Sequence, residues 1–365
     1  LIWKFTPDGH AYLLKNTELP SNTVKVPNPG DETKHRTIKR VCVSEASKTL
    51  GVMKAADLTQ TAEYKNLRKK TYTFTKALAA CPMSHYHAWL GYMTVYVPGV
   101  TYSFPTTSHT EKQCIALQTI FKATLLQKMG LPPTLPLEIV YGDKYFGGIG
   151  LLILFAEQGM QQTLLLMRHV RANTTLGQQI IIALRYYQLH AGIADSVLEN
   201  TQPLPYMRFP WIDSLRQYLY QISGTIKLTE PWLQTKQRKG DSFIMEEMLQ
   251  SKRFTDSELS MIYNCRLYLQ VSRVSDITTT DGTRIATKML AGDRKDNADL
   301  RTQEYTWPRQ ERPQERAWNT WRTAITTVLS TTAGKLHKTL GEWNHNHEAS
   351  WKYLASNSTR KLCHR

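Results

Sequence analysis

Thr61-Ala-Glu-Tyr-Lys-Asn-Leu-Arg-Lys-Lys-Thr-Tyr-Thr-Phe-Thr-Lys-Ala-Leu-Ala-Ala80 decides the fold class of this 365-residue chain. Tyr64, Leu67, Thr71, Phe74 and Leu78 recur at i, i+3, i+7, i+10 and i+14, the spacing of one helix face. Lys65, Arg68, Lys69, Tyr72 and Lys76 fall on the opposite face, within about 100° of one another at 3.6 residues per turn. A solvated face usually mixes Glu with Lys for i,i+4 pairing. This one carries four positive charges, a tyrosine and no acid. Such a stripe suits phosphates, with Tyr72 available to stack on a sugar or base. The competing reading is a plain solvated face.

Upstream, residues 1–55 read as β. Leu1–Phe5 alternates, Thr6-Pro-Asp-Gly9 is a turn, and Ala11–Leu14 returns as a hairpin arm. Pro27-Asn-Pro-Gly30 reads as a loop, and Thr37–Val43 and Lys48–Met53 as two more strands. So few short strands make a poor core, so they are expected to finish a sheet begun further upstream. Downstream, residues 56–192 read as a helical bundle. Ser84–Tyr96 is a helix stopped by Pro98-Gly99. A third helix opens at the capping box Ser108-x-x-Glu111, carries Cys114, Leu117, Phe121 and Leu125 on one side, and ends at Gly130 before Pro132-Pro133. Leu137–Tyr141 reads as a strand. A helix with Met160, Leu164 and Met167 comes next, then one with Leu176, Ile180, Leu184 and Tyr187, closed by Gly192.

Residues 193–210 are punctuated by proline and read as a linker. Residues 211–290 read as a mixed connector, with helices at 211–222, 241–250 and 257–271 and a turn at Thr280-Asp-Gly282. Residues 291–315 read as a polar loop. Residues 316–365 form a Trp-rich helical end, whose last helix (about 314–340) puts Trp318, Trp321, Ile325 and Val328 on one face. The fold class is therefore mainly α with a small N-terminal β portion (α+β): a helical bundle followed by a mixed, mostly helical C-terminal region.

The formal net charge is +16 and the pI about 9.5, a balance that points to a polyanionic partner, nucleic acid first. Cys42, Cys81, Cys114, Cys265 and Cys363 lie far apart, without zinc-site spacing or a disulfide framework, and read as buried thiols in a reducing compartment. No apolar h-region follows Leu1 and no apolar run is long enough to span a bilayer, so an intracellular location, cytoplasmic and nuclear, without membrane contact is expected. The sequons at Asn173 and Asn357 are read as chance on the same grounds. Starting at Leu1 rather than Met, the chain reads as a fragment or a processed product.

No reaction centre is evident. Asp293, Asp296 and Asp299 are spaced by three, but in a loop full of Arg and Lys. His345-Asn-His347 spells a nuclease motif without partner ligands. His85 and His87 point apart on a helix. Gly147, Gly148 and Gly150 read as a structural turn that lets a helix pack closely. The alternative, a phosphate cradle at a helix start, lacks the dinucleotide spacing. Arg168, His169 and Arg171, with Arg185 on the next helix, form a second candidate nucleic-acid patch, against which stands ordinary placement of cations at a helix C-terminus. Metal ligands and cofactors are expected to be none.

Several short motifs carry a resemblance. Tyr145-Phe-Gly-Gly-Ile-Gly-Leu151 follows Lys48-Thr-Leu-Gly-Val52 by about a hundred residues, and Trp3-Lys-Phe-x-x-Asp-Gly9 precedes both. Together they resemble the region after the catalytic palm motifs in LINE-like, non-LTR retroelement reverse transcriptases. Asn264-Cys-Arg-Leu-Tyr-Leu-Gln270, Asp276, Asp281-Gly282, Trp307-Pro-x-Gln-x-x-Pro313 and Trp318-x-x-Trp321 extend the resemblance over nearly the whole chain. It implies that residues 1–55 are the terminal strands of a palm-like sheet, that 56–192 are a thumb gripping template–primer duplex, and that the rest is a connector. The partners implied are an RNA/DNA template–primer duplex and the palm and fingers of the same polypeptide. No Asp-Asp pair occurs, so the family's metal-binding Tyr-x-Asp-Asp loop has no counterpart here, and no activity is expected of this chain alone, although the parent would be an RNA-directed DNA polymerase. An RNase H acidic tetrad is not recognisable. The competing reading is a helical protein–protein interaction module that docks a partner through its Trp307–Trp351 end.

Overall fold

Among the described residues, six short strands come first and helices make up most of the rest, so the fold is mainly α with a small N-terminal β portion, as its periodicities predict. The computed structural model describes residues 44–234, 240–278, 285 and 312–329, with the strand backbones 3–5, 11–13, 23–28 and 31–39. The chain divides into two compact units, Leu1–Leu164 and Leu165–Arg365.

The strands pair as three separate antiparallel hairpins among the described residues, not as one sheet. β1 (Trp3–Phe5) and β2 (Ala11–Leu13) form the expected first hairpin. The second corrects the sequence reading. β3 (Thr23–Asn28) and β4 (Asp31–Lys39) meet at Asn28 and Asp31, so Pro27 and Asn28, read as loop, end a strand. Alternation in Thr23–Asn28 is masked by its proline. Lys48–Met53 is likewise not one strand but parts of β5 (Ser47–Thr49) and β6 (Val52–Lys54), reversed at Leu50-Gly51, where both residues take positive φ.

α1 spans Thr61–Ala80, with Leu67, Thr71 and Leu78 buried as the spacing predicts. Buried Glu63 ties the last hairpin to this helix: its Oε2 accepts from the Met53 amide (2.7 Å) and the Asn66 side chain (3.1 Å). α1 lies against α4 (Glu111–Lys128). An aromatic column fills the space beside them: Phe74 to Tyr96 at 4.9 Å, Tyr96 to Phe121 at 4.5 Å and Tyr92 to Phe121 at 5.5 Å between ring centroids.

Pro98-Gly99 does not stop the second helix. α2 (His85–Gly91) widens into a π-turn (Tyr92–Tyr96) and continues as α3 (Val97–Thr101). The wider i→i+5 turn removes the clash between a proline ring and the carbonyl four residues back, which is what ordinarily breaks a helix there. The α4 cap is also displaced. Thr110 and Gln113 form the capping box, not Ser108 and Glu111. The expected end at Gly130 holds, with φ +74°.

Leu137–Tyr141 is a single helical turn, α5, rather than a strand. Its apolar residues are too few to separate period 2 from period 3.6. Three backbone bonds fold the glycine turn back onto it: Ile149 N–H to Ile139 O (2.8 Å), Leu151 N–H to Val140 O (3.0 Å) and Gly150 N–H to Gly142 O (2.9 Å). α6 runs Leu154–Arg171, with an inner face that hydropathy does not mark. Met160 and Leu164 are 42% and 54% exposed, while Gln158 and Gln162 are buried. The two glutamines satisfy the backbone of the 107–109 loop, Gln158 pairing twice with His109 and Gln162 donating to Thr107 O. Polar residues with fixed partners outcompete apolar ones for the inside.

In the second unit α7 (Thr175–Ala191) is capped by Thr174 and closed by left-handed Gly192. The stretch 193–209 is not a spacer. Ile193, Val197, Leu198, Tyr206 and Met207 are buried in the same core as α8 (Pro210–Gln221), α9 (Ile244–Ser251), α10 (Asp256–Leu269) and the one-turn α11 (Val274–Ile277). The stretch lacks regular hydrogen bonding, so Arg216 supplies donors, bonding the carbonyls of Val197, Asn200 and Gln202. Thr278 and Ile285 form an isolated bridge; the turn expected at 280–282 lies outside the described residues, as does 291–311. α12 (Glu315–Ala324), followed by a π-turn at Ile325–Leu329, adds Trp318 and Trp321 to this core.

Candidate nucleic-acid interface

Lys65, Arg68, Lys69, Tyr72 and Lys76 are all exposed along one side of α1, opposite Leu67, Thr71 and Leu78. The helix is positioned from beneath by α4 and at its start by Glu63, so the stripe sits on a rigid element. Arg68 holds its guanidinium 5.8 Å from the Tyr72 ring centroid, with Nη2 3.5 Å from the tyrosine hydroxyl. That hydrogen bond is the first cause raising the Arg68 pKa above its ordinary value. The pair aligns a cation and a ring edge on one surface, an arrangement suited to a phosphate beside a sugar or base.

Among the described residues the ion pairs are Arg273–Asp276 and Glu315–Arg322, both in the second unit. No described carboxylate comes within ion-pair distance of the stripe. Lys70, on the same helix but turned away, behaves differently: its ammonium donates to Gly99 O at 3.0 Å and serves the fold. A second signal, beyond the spacing, supports the same surface. From Tyr64 to Thr110 the chain contains no Asp or Glu, though it contains Lys65, Arg68, Lys69, Lys70 and Lys76. Counting acids over a whole segment, not one helix face, would have found it.

Arg168 and Arg171 are exposed near the end of α6, and Arg185 is exposed on α7. His169 is not part of an open patch. Its Nδ1 lies 2.9 Å from Thr174 Oγ1, the cap of α7, at a corner closed by Gly177 against the His169 carbonyl. Arg185 borders a shallow cleft shared with Glu230 and Trp232. An acid beside it makes this a weaker phosphate site than the stripe.

The glycine run is a structural turn. Gly147 and Gly150 have φ of +82° and +74°, a region open mainly to glycine. A Cβ on Gly148 would fall 2.1 Å from Gly142 O. All three amides are engaged internally, Gly147 with Lys144 O, Gly148 with Asp143 O and Gly150 with Gly142 O. None is left to cradle a phosphate.

Strongly shifted groups are buried structural ones. His109 is pushed down to about 4, by burial first and then by the Lys54 charge. His190 is pushed down to about 4 by burial and then by Arg266, while its Nδ1 lies 2.8 Å from the Tyr263 hydroxyl. Burial pushes the Cys114 and Cys265 thiols up to about 12. Cys81, expected inside, is exposed, because it ends α1 beside Pro82. His85 and His87 are exposed, with His87 paired to its cap Ser84. No group of three or more His, Cys, Asp or Glu with metal-binding geometry occurs among the described residues. The Asp293–Asp299 series and His345-Asn-His347 lie outside them. No described helix is long and apolar enough to cross a membrane.

The described part of the tryptophan-rich end is inside the protein. Trp318 and Trp321 are 1% and 0% exposed, so neither is available to dock a partner; Trp307 and Trp351 lie outside the described residues. The chain has no significant match to any family model, curated protein or solved structure.

Proposed function

We propose that this chain binds a template–primer duplex as the thumb and connector of a LINE-like retroelement reverse transcriptase, and is inactive by itself. The observation that carries the binding reading is the α1 face: four exposed cations and an exposed tyrosine, with no described acid paired to them. The glycine-turn and palm-edge motifs resemble that family, and the strand-then-helix order is compatible with them. The catalytic aspartates have no counterpart in the sequence, so the palm and fingers would come from the same polypeptide. Work on nucleic acid would place it in the cytoplasm and nucleus.

The test is a salt titration of binding to a primer–template duplex. Phosphate contacts require log K to fall steeply with log salt. A protein-docking module predicts no such dependence, and the burial of Trp318 and Trp321 speaks against that alternative. Nucleotide incorporation by the pure chain would contradict the inactive assignment.

A further inference from the structure

Tyr145 and Phe146 are 88% and 85% exposed, the most open large aromatics among the described residues. Adjacent exposed aromatics on a loose loop would mean little. These stand on a locked turn. The Tyr145 amide donates to Asp143 Oδ1 (2.7 Å), the Phe146 amide to Asp143 O (3.0 Å) and the Gly147 amide to Lys144 O (3.1 Å). The rings meet edge to face, 5.1 Å apart at 89°, so each keeps a face open. Between their backbone and α2, Lys144 holds its ammonium 3.7 Å from the Trp89 ring centroid. The residue immediately before the pair therefore carries a positive charge held against α2. α2 itself lies in the segment without acids, and Asp143, the nearest carboxylate in sequence, is occupied as an amide cap.

We infer that the Lys144-Tyr145-Phe146 turn is a stacking platform for unpaired bases of a single-stranded nucleic acid. Aromatic faces bind bases of any sequence, and a neighbouring cation holds the backbone phosphate. The charge decides between occupants. An apolar protein partner has no use for a lysine next to the two rings in the chain, whereas a nucleotide offers a ring and an anion together. The inference shares with the proposed function only the class of polymer; it uses different residues and a different strand state.

The experiment uses the full chain, a labelled single-stranded oligonucleotide containing 2-aminopurine, and a fully paired duplex. Replacing both aromatics (Tyr145→Ala with Phe146→Ala) should weaken single-strand binding about five- to hundredfold and abolish the fluorescence change of the stacked analogue. Duplex binding and its salt slope should stay unchanged. The exchange Tyr145→Phe with Phe146→Tyr, which keeps both rings, should restore binding. A folded double-alanine variant that binds the single strand as wild type does overturns the platform but leaves the duplex reading standing. If that variant changes only self-association, the patch is a protein face and the inference is wrong. If the wild-type chain binds neither probe, both readings fall.

Discussion

Changing Lys65, Arg68, Lys69 and Lys76 together to Gln removes the exposed charge of α1 while leaving Leu67, Thr71 and Leu78 inside. Gln has nearly the helix propensity of Lys and Arg, so the helix should persist. From Lys65 to Lys76 the helix advances about 16 Å at 1.5 Å per residue. One strand of a duplex carries a phosphate roughly every 3.4 Å of axis, so that length faces about five of them, enough for every cation to find one. If the substitutions remove about two to four phosphate interactions, each worth about 0.9 in slope, log K against log salt should flatten by roughly 2–4. Between 50 and 200 mM salt, the gap between wild type and variant should then shrink by about 16- to 250-fold. Fluorescence anisotropy with a labelled duplex at several salt concentrations measures this, with circular dichroism to confirm the helix. Different duplex sequences should lose similarly, because phosphate contacts position without reading bases. A folded variant with an unchanged slope would refute the stripe as an interface.

Three further outcomes are expected from the packing. Gly148→Ala puts a Cβ against Gly142 O and should cost about 2–4 kcal/mol by opening the bonds of the turn, whereas Gly147→Ala, with free space around it, should cost only about 1–2 for its left-handed backbone; the reverse order in urea midpoints would show the turn is built otherwise. Arg266→Met leaves the carbonyls of Leu189 and His190 and the Ser272 hydroxyl without a buried donor, so urea denaturation should show a loss of about 2–5 kcal/mol, and an equally stable variant would mean relief of the buried charge outweighs the lost bonds. Unfolded His109 takes a proton near pH 6.5 but the folded residue only near 4, so the unfolded chain binds more protons between those values; stability should be whole above about pH 6.5 and decline toward pH 4, by up to about 3 kcal/mol from this residue, and His109→Leu should flatten that part of the curve.

Where a helix presents many apolar positions at a steady 3.6 spacing, as α1 and α4 do, the sequence reveals both its length and its inner face. The stripe was legible for the same reason, since exposed residues follow from the buried ones. Misreadings fall where a local rule is overridden by something distant. Pro98 stops a helix only if its turn keeps the normal pitch, and the π-turn at Tyr92–Tyr96 changes that. Met160 and Leu164 ought to face inward on hydropathy, but Gln158 and Gln162 have partners in a loop some fifty residues away, which no window of sequence contains. Proline-punctuated 193–209 reads as a linker because much of its backbone is bonded by side chains of the flanking helices, Gln188 of α7 and Arg216 of α8.

Net charge alone is a poor guide to what this protein binds. Forty-six Lys and Arg against thirty acids suggest a polyanion, yet the structure spends several of those cations internally. Arg266 is fully buried over the end of α7, where helix carbonyls carry partial negative charge and a cation offsets it. Arg216 closes three carbonyls, Lys70 one, and Lys54 bonds Thr106 through both its carbonyl and its hydroxyl. What distinguishes Lys65, Arg68, Lys69 and Lys76 is not their sign but their lack of internal employment: exposed, on a helix held from below, with no described acid beside them. Charges of that kind keep their full attraction for an external anion. They release counterions when one binds, and this is the source of a salt slope. Cations consumed by the fold contribute nothing to it. The duplex interface is therefore to be sought by asking where cations the fold has not already used stand together, and among the described residues of the first unit the four on one face of α1 form such a cluster.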